Sequence, residues 1–217
     1  MFDNKFKQII LFFFLFCVYP SDRMNAQDGF HPVSSVESLK SRIREESGVL
    51  KSIESKFTQT KYIRLLSEKI VSTGMFYYQK PGKVCLDYLN PVKYRIVING
   101  NKIKIDSDGK TNNFDAGSNR MMSQMSALIA ACMTGDLEQL SSNYELTFKE
   151  NEARYRIEVV PRGSAKTYMK SIDIFLDKKD FTVCQLKITE PSDDFTEYVF
   201  TGHKKNIAFP DEKFAVK

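Results

Sequence analysis

Few side chains in this 217-residue sequence are arranged for covalent chemistry. Histidine is the residue that ordinarily changes charge near neutral pH. There are two, His31 in a polar segment and His203 at the end of a strand-like run, and both read as exposed rather than catalytic. No HExxH, CxxC or GxSxG occurs, and no glycine-rich loop joins a strand to a helix. Asp106-Ser107-Asp108-Gly109 opens like a calcium loop, but Gly117 stands where the bidentate acid of the twelfth position is needed. Asp193 and Asp194 are neighbours in a turn, where such pairs serve solvation and turn geometry. Asp87 is a lone acid in a mostly apolar run and reads as a paired structural carboxylate. This pattern argues against an enzyme and offers no site for a metal or a cofactor.

What the sequence does concentrate is soft apolar surface. Met121, Met122, Met125, Leu128, Ile129, Cys132 and Met133 recur at spacings of three and four, one face of a helix over about 121–133 that Gly135 ends. Unbranched, polarizable methionines repack around varied apolar shapes, which suits a surface that takes up a greasy ligand. The same stripe would also serve an ordinary core helix, and periodicity does not choose between them.

The elements that must position such a surface are strands. From Phe57 to Asp106 the sequence predicts strands at about 57–66, 69–79, 83–89, 94–99 and 102–106, reversed at Pro81-Gly82, Asn90-Pro91 and Asn99-Gly100-Asn101. Met75 and Tyr77 face one way and Phe76 and Tyr78 the other, while Tyr94, Ile96 and Ile98 share a face. A sheet apolar on both sides must be covered on both or line a cavity. Ahead of it, Ser34 and Glu37 have the spacing of a capping box, and Val36, Leu39, Ile43, Leu50, Ile53 and Phe57 form a helical stripe that Gly48 kinks or ends. Residues 107–120 read as a polar loop.

The last third predicts strands at about 144–150, 153–161, 169–177, 183–189 and 195–204. Tyr155, Ile157 and Val159 lie on one face, as do Ile172, Ile174 and Leu176, and Cys184, Leu186 and Ile188; charged residues lie opposite. The class is α+β: one antiparallel sheet that, once curled, holds helices against its concave face.

The start of the chain is set apart. Lys5 and Lys7 precede an apolar run, Ile9 to Tyr19, too short to span a bilayer, and Ala26 offers a small residue at a cut site. Residues 1–26 therefore read as a cleaved export signal, leaving 27–217 as a single exported domain, which the resemblance given below would place in the periplasm. Cys17 follows Leu15-Phe16 and lacks the small residues a lipid-anchor site requires. Removing 1–26 lowers the formal charge from +5 to +4, with 29 basic and 25 acidic residues left. That excess is spread out and excludes the clustered basic face of a nucleic-acid binder. Cys85, Cys132 and Cys184 remain, an odd number that allows at most one intramolecular bridge, or else three buried thiols acting as small apolar groups.

Several short motifs, taken in order, resemble the periplasmic lipoprotein carriers of the LolA family: Phe57/Gln59, Gly74/Phe76, Lys80-Pro81-Gly82, Pro91, Ile96-Val97 and Asn99-Gly100. The resemblance continues through Ile172-Asp173-Ile174, Asp177, Leu186, Thr196-Glu197-Tyr198-Val199-Phe200, Asn206 and Phe214, and spans roughly residues 36–216. It implies an unclosed antiparallel β-barrel with α-helices as a lid over its concave apolar face. It also implies a monomer whose partners are acylated lipoproteins, an inner-membrane ABC-type lipoprotein-release complex and an outer-membrane lipoprotein receptor. Cavity and lid would then be lined by Ile43, Leu50, Ile53, Phe76, Tyr78, Leu86, Ile96, Ile98, Met121, Met122, Met125, Leu128 and Ile129. Lys80 stands where the family has an arginine joining barrel to lid, Leu86 where a tryptophan is common, and Ile103-Lys104-Ile105 where an aromatic pair is usual. A lipid-sensing interaction module, or a carrier of non-protein lipid, would use the same fold.

Overall fold

The computed structural model describes residues 29–115, 131, 137 and 143–216. In chain order they form β1 (His31–Pro32), α1 (Val36–Val49), β2 (Ser52–Ile63), β3 (Glu68–Gln79), β4 (Lys83–Asn90), β5 (Tyr94–Asn99), β6 (Lys102–Ser107), β7 (Lys110–Asp115), β8 (Tyr144–Glu150), β9 (Arg154–Pro161), β10 (Ser171–Asp177), β11 (Val183–Thr189) and β12 (Phe195–Lys205). One sheet runs β1-β8-β9-β10-β11-β12-β2-β3-β4-β5-β6-β7, antiparallel throughout. Two meanders, β2–β7 and β8–β12, are joined where β12 pairs with β2. Its outermost strands, β1 and β7, do not meet, so the curved sheet is unclosed.

Most strand boundaries follow the sequence reading, with three corrections. The helical stripe stops at Val49. Beyond it Ile53, Ser55 and Phe57 are buried at every second position, because β2 begins at Ser52 and the period changes to that of a strand. The cap is Ser35 rather than Ser34: the Ser38 amide donates to Ser35 Oγ at 3.2 Å, satisfying one of the free amides of the first turn. Part of the expected loop 107–120 is strand β7, five of whose six residues are polar, as suits an edge strand exposed along its whole length.

Pairing register makes one face continuous. Phe148 stands opposite Ile157, Ile157 opposite Ile174, Ile174 opposite Leu186 and Leu186 opposite Tyr198. On the other side of β2, Phe76, Leu86, Ile96 and Ile105 follow one another across four strands. Directly opposed residues project to the same side, so the two apolar rows share one face and meet across β2 at Ser55, Phe57 and Gln59. Helix α1 lies on its β8–β10 part, where buried Leu39 and Ile43 pack with Phe148, Ile157, Ile174 and Leu176; Ala131 and Leu137 join the same core. A second core, around Phe57, Phe76, Tyr78 and Tyr88, occupies β2–β4 and β12.

The reverse face of β3–β5 is covered too. The C-terminal segment turns through one 3₁₀ turn, Asp211–Phe214, and buries Phe214 against Cys85 and Val97, with Tyr77 and Phe209 beside them. Asn99 Nδ2 donates to the Phe214 carbonyl at 3.1 Å, and Lys213 Nζ lies 3.9 Å from the Tyr77 ring centroid. The chain's own C-terminus thus covers one of the two apolar faces, leaving the concave one as the candidate for a ligand.

Candidate functional site

The concave face is built around an aromatic cluster at the centre of the long stretch. Phe57 stands opposite Gly74, and a Cβ on Gly74 would lie 2.8 Å from the Phe57 ring and 2.1 Å from the Asp87 carbonyl oxygen. Only a glycine lets the ring lie flat on β3. Phe57 then meets Tyr88 edge-on at 4.9 Å, Tyr88 stacks on Tyr94 at 4.0 Å, and Phe76 meets Phe200 at 5.1 Å. Tyr88 and Tyr198 join hydroxyl to hydroxyl at 3.2 Å. Burial pushes both phenols up, reinforced in Tyr88 by its tyrosine neighbours, so the cluster stays neutral.

No carboxylate, ammonium or guanidinium lies on this face between Ile53 and Gln59 of β2, nor at Phe76, Tyr78, Val84, Leu86, Tyr88, Tyr94, Ile96 and Ile98. Ser55 Oγ and Gln59 Oε1 are buried with no hydrogen-bond partner among the described residues. Such a surface can bury apolar chains and offer an occasional polar contact.

The structure divides the residues singled out from sequence into two groups. Ile43, Leu50 and Ile53 line a cleft of about 100 Å³ beneath the last turn of α1, closed on its far side by Leu176, Phe181 and Val183. Phe76, Tyr78, Leu86, Ile96 and Ile98 lie on the same face further round the sheet, in the aromatic core. Phe76 and Tyr78 are fully packed, whereas Leu86, Ile96 and Ile98 are half-buried and leave surface uncovered. Met121, Met122, Met125, Leu128 and Ile129 lie outside the described residues.

Lys80 joins the two regions. It sits in the turn after β3, and its Nζ donates to the carbonyl of Ser47 in the last turn of α1. A helix C-terminus carries free carbonyls and partial negative charge, which a cation there satisfies. Asn206 completes the attachment: its Nδ2 donates to the Val49 carbonyl at 3.3 Å, and its Oδ1 accepts from the Lys51 amide at 2.7 Å. The contact is made by a lysine through one carbonyl, not by a planar fork.

The remaining candidates are structural. Asp87 is held by Arg95, whose Nη2 lies 3.1 Å from Oδ2, and by Lys213 at 3.4 Å, on the side of the sheet away from the aromatic core. Burial and the adjacent Asp87 push the Cys85 thiol up to about 12, and this inert thiol and Cys184 form no disulfide. His31 is exposed, but His203 is not: it is half-buried at a bulge in β12, its Nδ1 lacks a partner among the described residues, and burial lowers its pKa. A bulge there was invisible in the alternation of the strand. No group of three or more His, Cys, Asp or Glu among the described residues could hold a metal ion, and no described helix is long and apolar enough to cross a membrane.

Sequence reading missed Tyr88, Tyr94 and Asn206 as parts of this arrangement. A signal existed for the tyrosines: they stand equally far from Pro91, and the hairpin pairs them. For Asn206 there was only its place in the family motif, which assigned it no role, since its partners are about 155 residues away in sequence.

A family model described as outer membrane lipoprotein carrier protein LolA matches residues 49–217. No curated protein sequence matches the chain. Among solved structures, it is similar to a chain of the MucA/MucB complex of Pseudomonas aeruginosa at 14% identity and a TM-score of 0.49, over 84% of this chain and 62% of that one, so it spans less than two thirds of that relative. A LolA superfamily protein from Nitrosomonas europaea matches at 9% identity and a TM-score of 0.43, over 81% of this chain and 97% of that one. The lipoprotein LppX of Mycobacterium tuberculosis matches at 11% and 0.42, over 81% and 99%. At these identities the likeness is one of fold.

Proposed function

The chain belongs to the LolA family of outer membrane lipoprotein carrier proteins, and from that premise we propose that it is a periplasmic carrier of lipoprotein acyl chains. It takes them as they leave the inner membrane and yields them at the outer membrane, catalysing no reaction. The single observation that carries this reading is the largely apolar concave face, free of charge from Ile53 to Gln59 and at the facing positions of β3–β5, and left half-covered at Leu86, Ile96 and Ile98.

Magnitudes favour a carrier that opens. A cleft of about 100 Å³ is well below the roughly 300–1,000 Å³ of ligand pockets, so an acyl chain lodges beneath α1 only as that helix moves away from the sheet. Leu39 and Ile43 hold α1 by burial worth about 1.5–3 kcal/mol each, or roughly 3–6 kcal/mol together. Each acyl CH₂ taken from water returns about 0.8 kcal/mol. About four to eight methylenes offset the displacement, so a long acyl chain is held and a short one is not. Because the gain is non-directional, it favours no particular protein attached to the acyl group, as a sorting carrier requires.

Mass spectrometry of material that co-purifies with the protein from its own periplasm tests this. Acylated lipoproteins support the reading. Free lipid alone would make the cargo a non-protein lipid, and a stoichiometric unlipidated protein would indicate an interaction module on the same fold.

A further inference from the structure

Ten large apolar residues are more than a third exposed among the described residues, and six lie together at one end of the sheet: Leu65 at 92%, Leu66 at 62%, Ile70 at 45%, Val71 at 51%, Leu89 at 46% and Val92 at 52%. Scattered exposed leucines need no explanation, but a cluster does. Four of the six belong to the β2–β3 hairpin. Residues 68–72 of β3 pair only with β2, because β4 first meets β3 at Thr73. The hairpin therefore extends about five residues, roughly 16 Å, past the end of β4. Leu89 at the end of β4 and Val92 in the β4–β5 turn flank its base.

The tip is held, not loose. Arg64–Leu66 form a 3₁₀ turn closed by Ser67 in the left-handed conformation at φ 51°. The β11–β12 turn fixes it from the side: the Arg64 amide donates to Asp194 Oδ1 at 2.8 Å, and Arg64 Nη1 to Asp193 Oδ2 at 2.7 Å. Anchoring the backbone in this way while presenting two leucines to water is unfavourable for an isolated soluble protein. Around them the charge is basic. Lys61, Arg64, Lys69, Lys93 and Lys170 stand against Glu68, Glu190, Asp193 and Asp194; Asp193 is already shared by Arg64 and Lys170, while Lys61, Lys69 and Lys93 make no ion pair among the described residues.

We propose that the β2–β3 hairpin tip, with the β4–β5 turn beside it, docks on the surface of an anionic lipid bilayer. Leu65 and Leu66 enter the boundary between headgroups and acyl chains, where apolar segments settle about 5–10 Å deep, while Lys61, Lys69 and Lys93 remain among lipid phosphates. The apolar tip alone would suit a protein partner equally; the basic ring around it is what selects a lipid surface. On the concave side of the sheet the tyrosines at positions 88, 94 and 198 lie just behind this rim, so docking brings the apolar face to the bilayer. The inference does not depend on the cargo, and it survives if the carrier reading fails.

The chain contains no tryptophan, so Leu65→Trp places a single reporter at the tip. Its emission is expected to shift to the blue with vesicles of phosphatidylcholine containing phosphatidylglycerol, and far less with phosphatidylcholine alone. In flotation with the same anionic vesicles, the full-length mature protein carrying Leu65→Asp and Leu66→Asp is expected to bind at least about tenfold more weakly, and Lys69→Gln about fivefold more weakly. Phe114→Asp, at an exposed apolar residue of the edge strand, leaves flotation unchanged. Thermal melting shows whether each variant is folded; as the tip is exposed, the midpoint is expected to stay that of the unmodified protein. Equal flotation of the Leu65/Leu66 variant, or emission that ignores vesicles, overturns the proposal. A shift that follows protein concentration without lipid also overturns it, in favour of a second copy on this surface.

Discussion

Replacing Lys80 with methionine keeps the apolar stem of the side chain but removes the ammonium that binds the Ser47 carbonyl at the end of α1. A hydrogen bond from a charged donor is worth about 1.5–3 kcal/mol net. Lys80 is half-buried, so solvent screening leaves about 2 kcal/mol, or a factor of roughly thirty in the equilibrium for lifting the helix end. Asn206 still holds the Val49 carbonyl and the Lys51 amide, and Leu39 and Ile43 still anchor the middle of α1. The variant is therefore expected to stay folded and loosen at one end. Hydrogen exchange followed by mass spectrometry separates the two: peptides covering the last turn of α1, residues 44–49, exchange about thirtyfold faster, while peptides of β10 (171–177) do not change. Lys80→Arg is expected to slow exchange of α1, since its fork can reach a second free carbonyl. Unaltered α1 exchange in Lys80→Met, or an equal rise in β10, would refute the view that Lys80 latches the helix to the sheet.

Gly74→Ala forces a methyl group against Asp87 and the Phe57 ring, and is expected to lower stability by about 3 kcal/mol or more, read from the denaturant midpoint. Ile96→Asp puts a charge on the half-covered apolar face, and is expected to abolish retention of co-purifying lipid while costing the fold less than Ile174→Asp, at a core position only 1% exposed. Burial depresses the pKa of His203 below its ordinary 6.5, so the unfolded chain takes up the proton first as pH falls. Stability is expected to drop as pH falls below about 6.5 and to level off once the folded-state pKa is passed. His203→Gln removes that slope in melting temperature between about pH 7 and pH 5.5, above the carboxylate range; an unchanged slope would contradict the assignment.

The strands were legible because turn dipeptides and alternation are local signals. Asn99-Gly100 and Pro81-Gly82 bound strands whose limits agree with the structure to within a residue. The helix boundary was not, because Leu50, Ile53 and Phe57 fit a helical period by chance while their neighbours fit a strand. β7 was missed because an exposed edge strand carries no apolar pattern. The family resemblance marked Lys80 as a contact between barrel and lid without saying which helix it meets, and Asn206, its partner in holding the end of α1, meets that helix only after the sheet has brought β12 beside β2. Which of the two apolar faces stays open was equally beyond reach of periodicity. It depends on the C-terminal segment crossing the reverse face and burying Phe214.

The central claim is that an acyl chain lies on the concave face. A photo-crosslinking residue placed at Ile96, on that face, or at Val199, opposite Thr58 on the reverse side, tests it most directly when the protein is incubated with membrane vesicles bearing a triacylated lipoprotein. The account predicts lipoprotein adducts at position 96 and none at 199. Adducts at both positions, or only at 199, would contradict it.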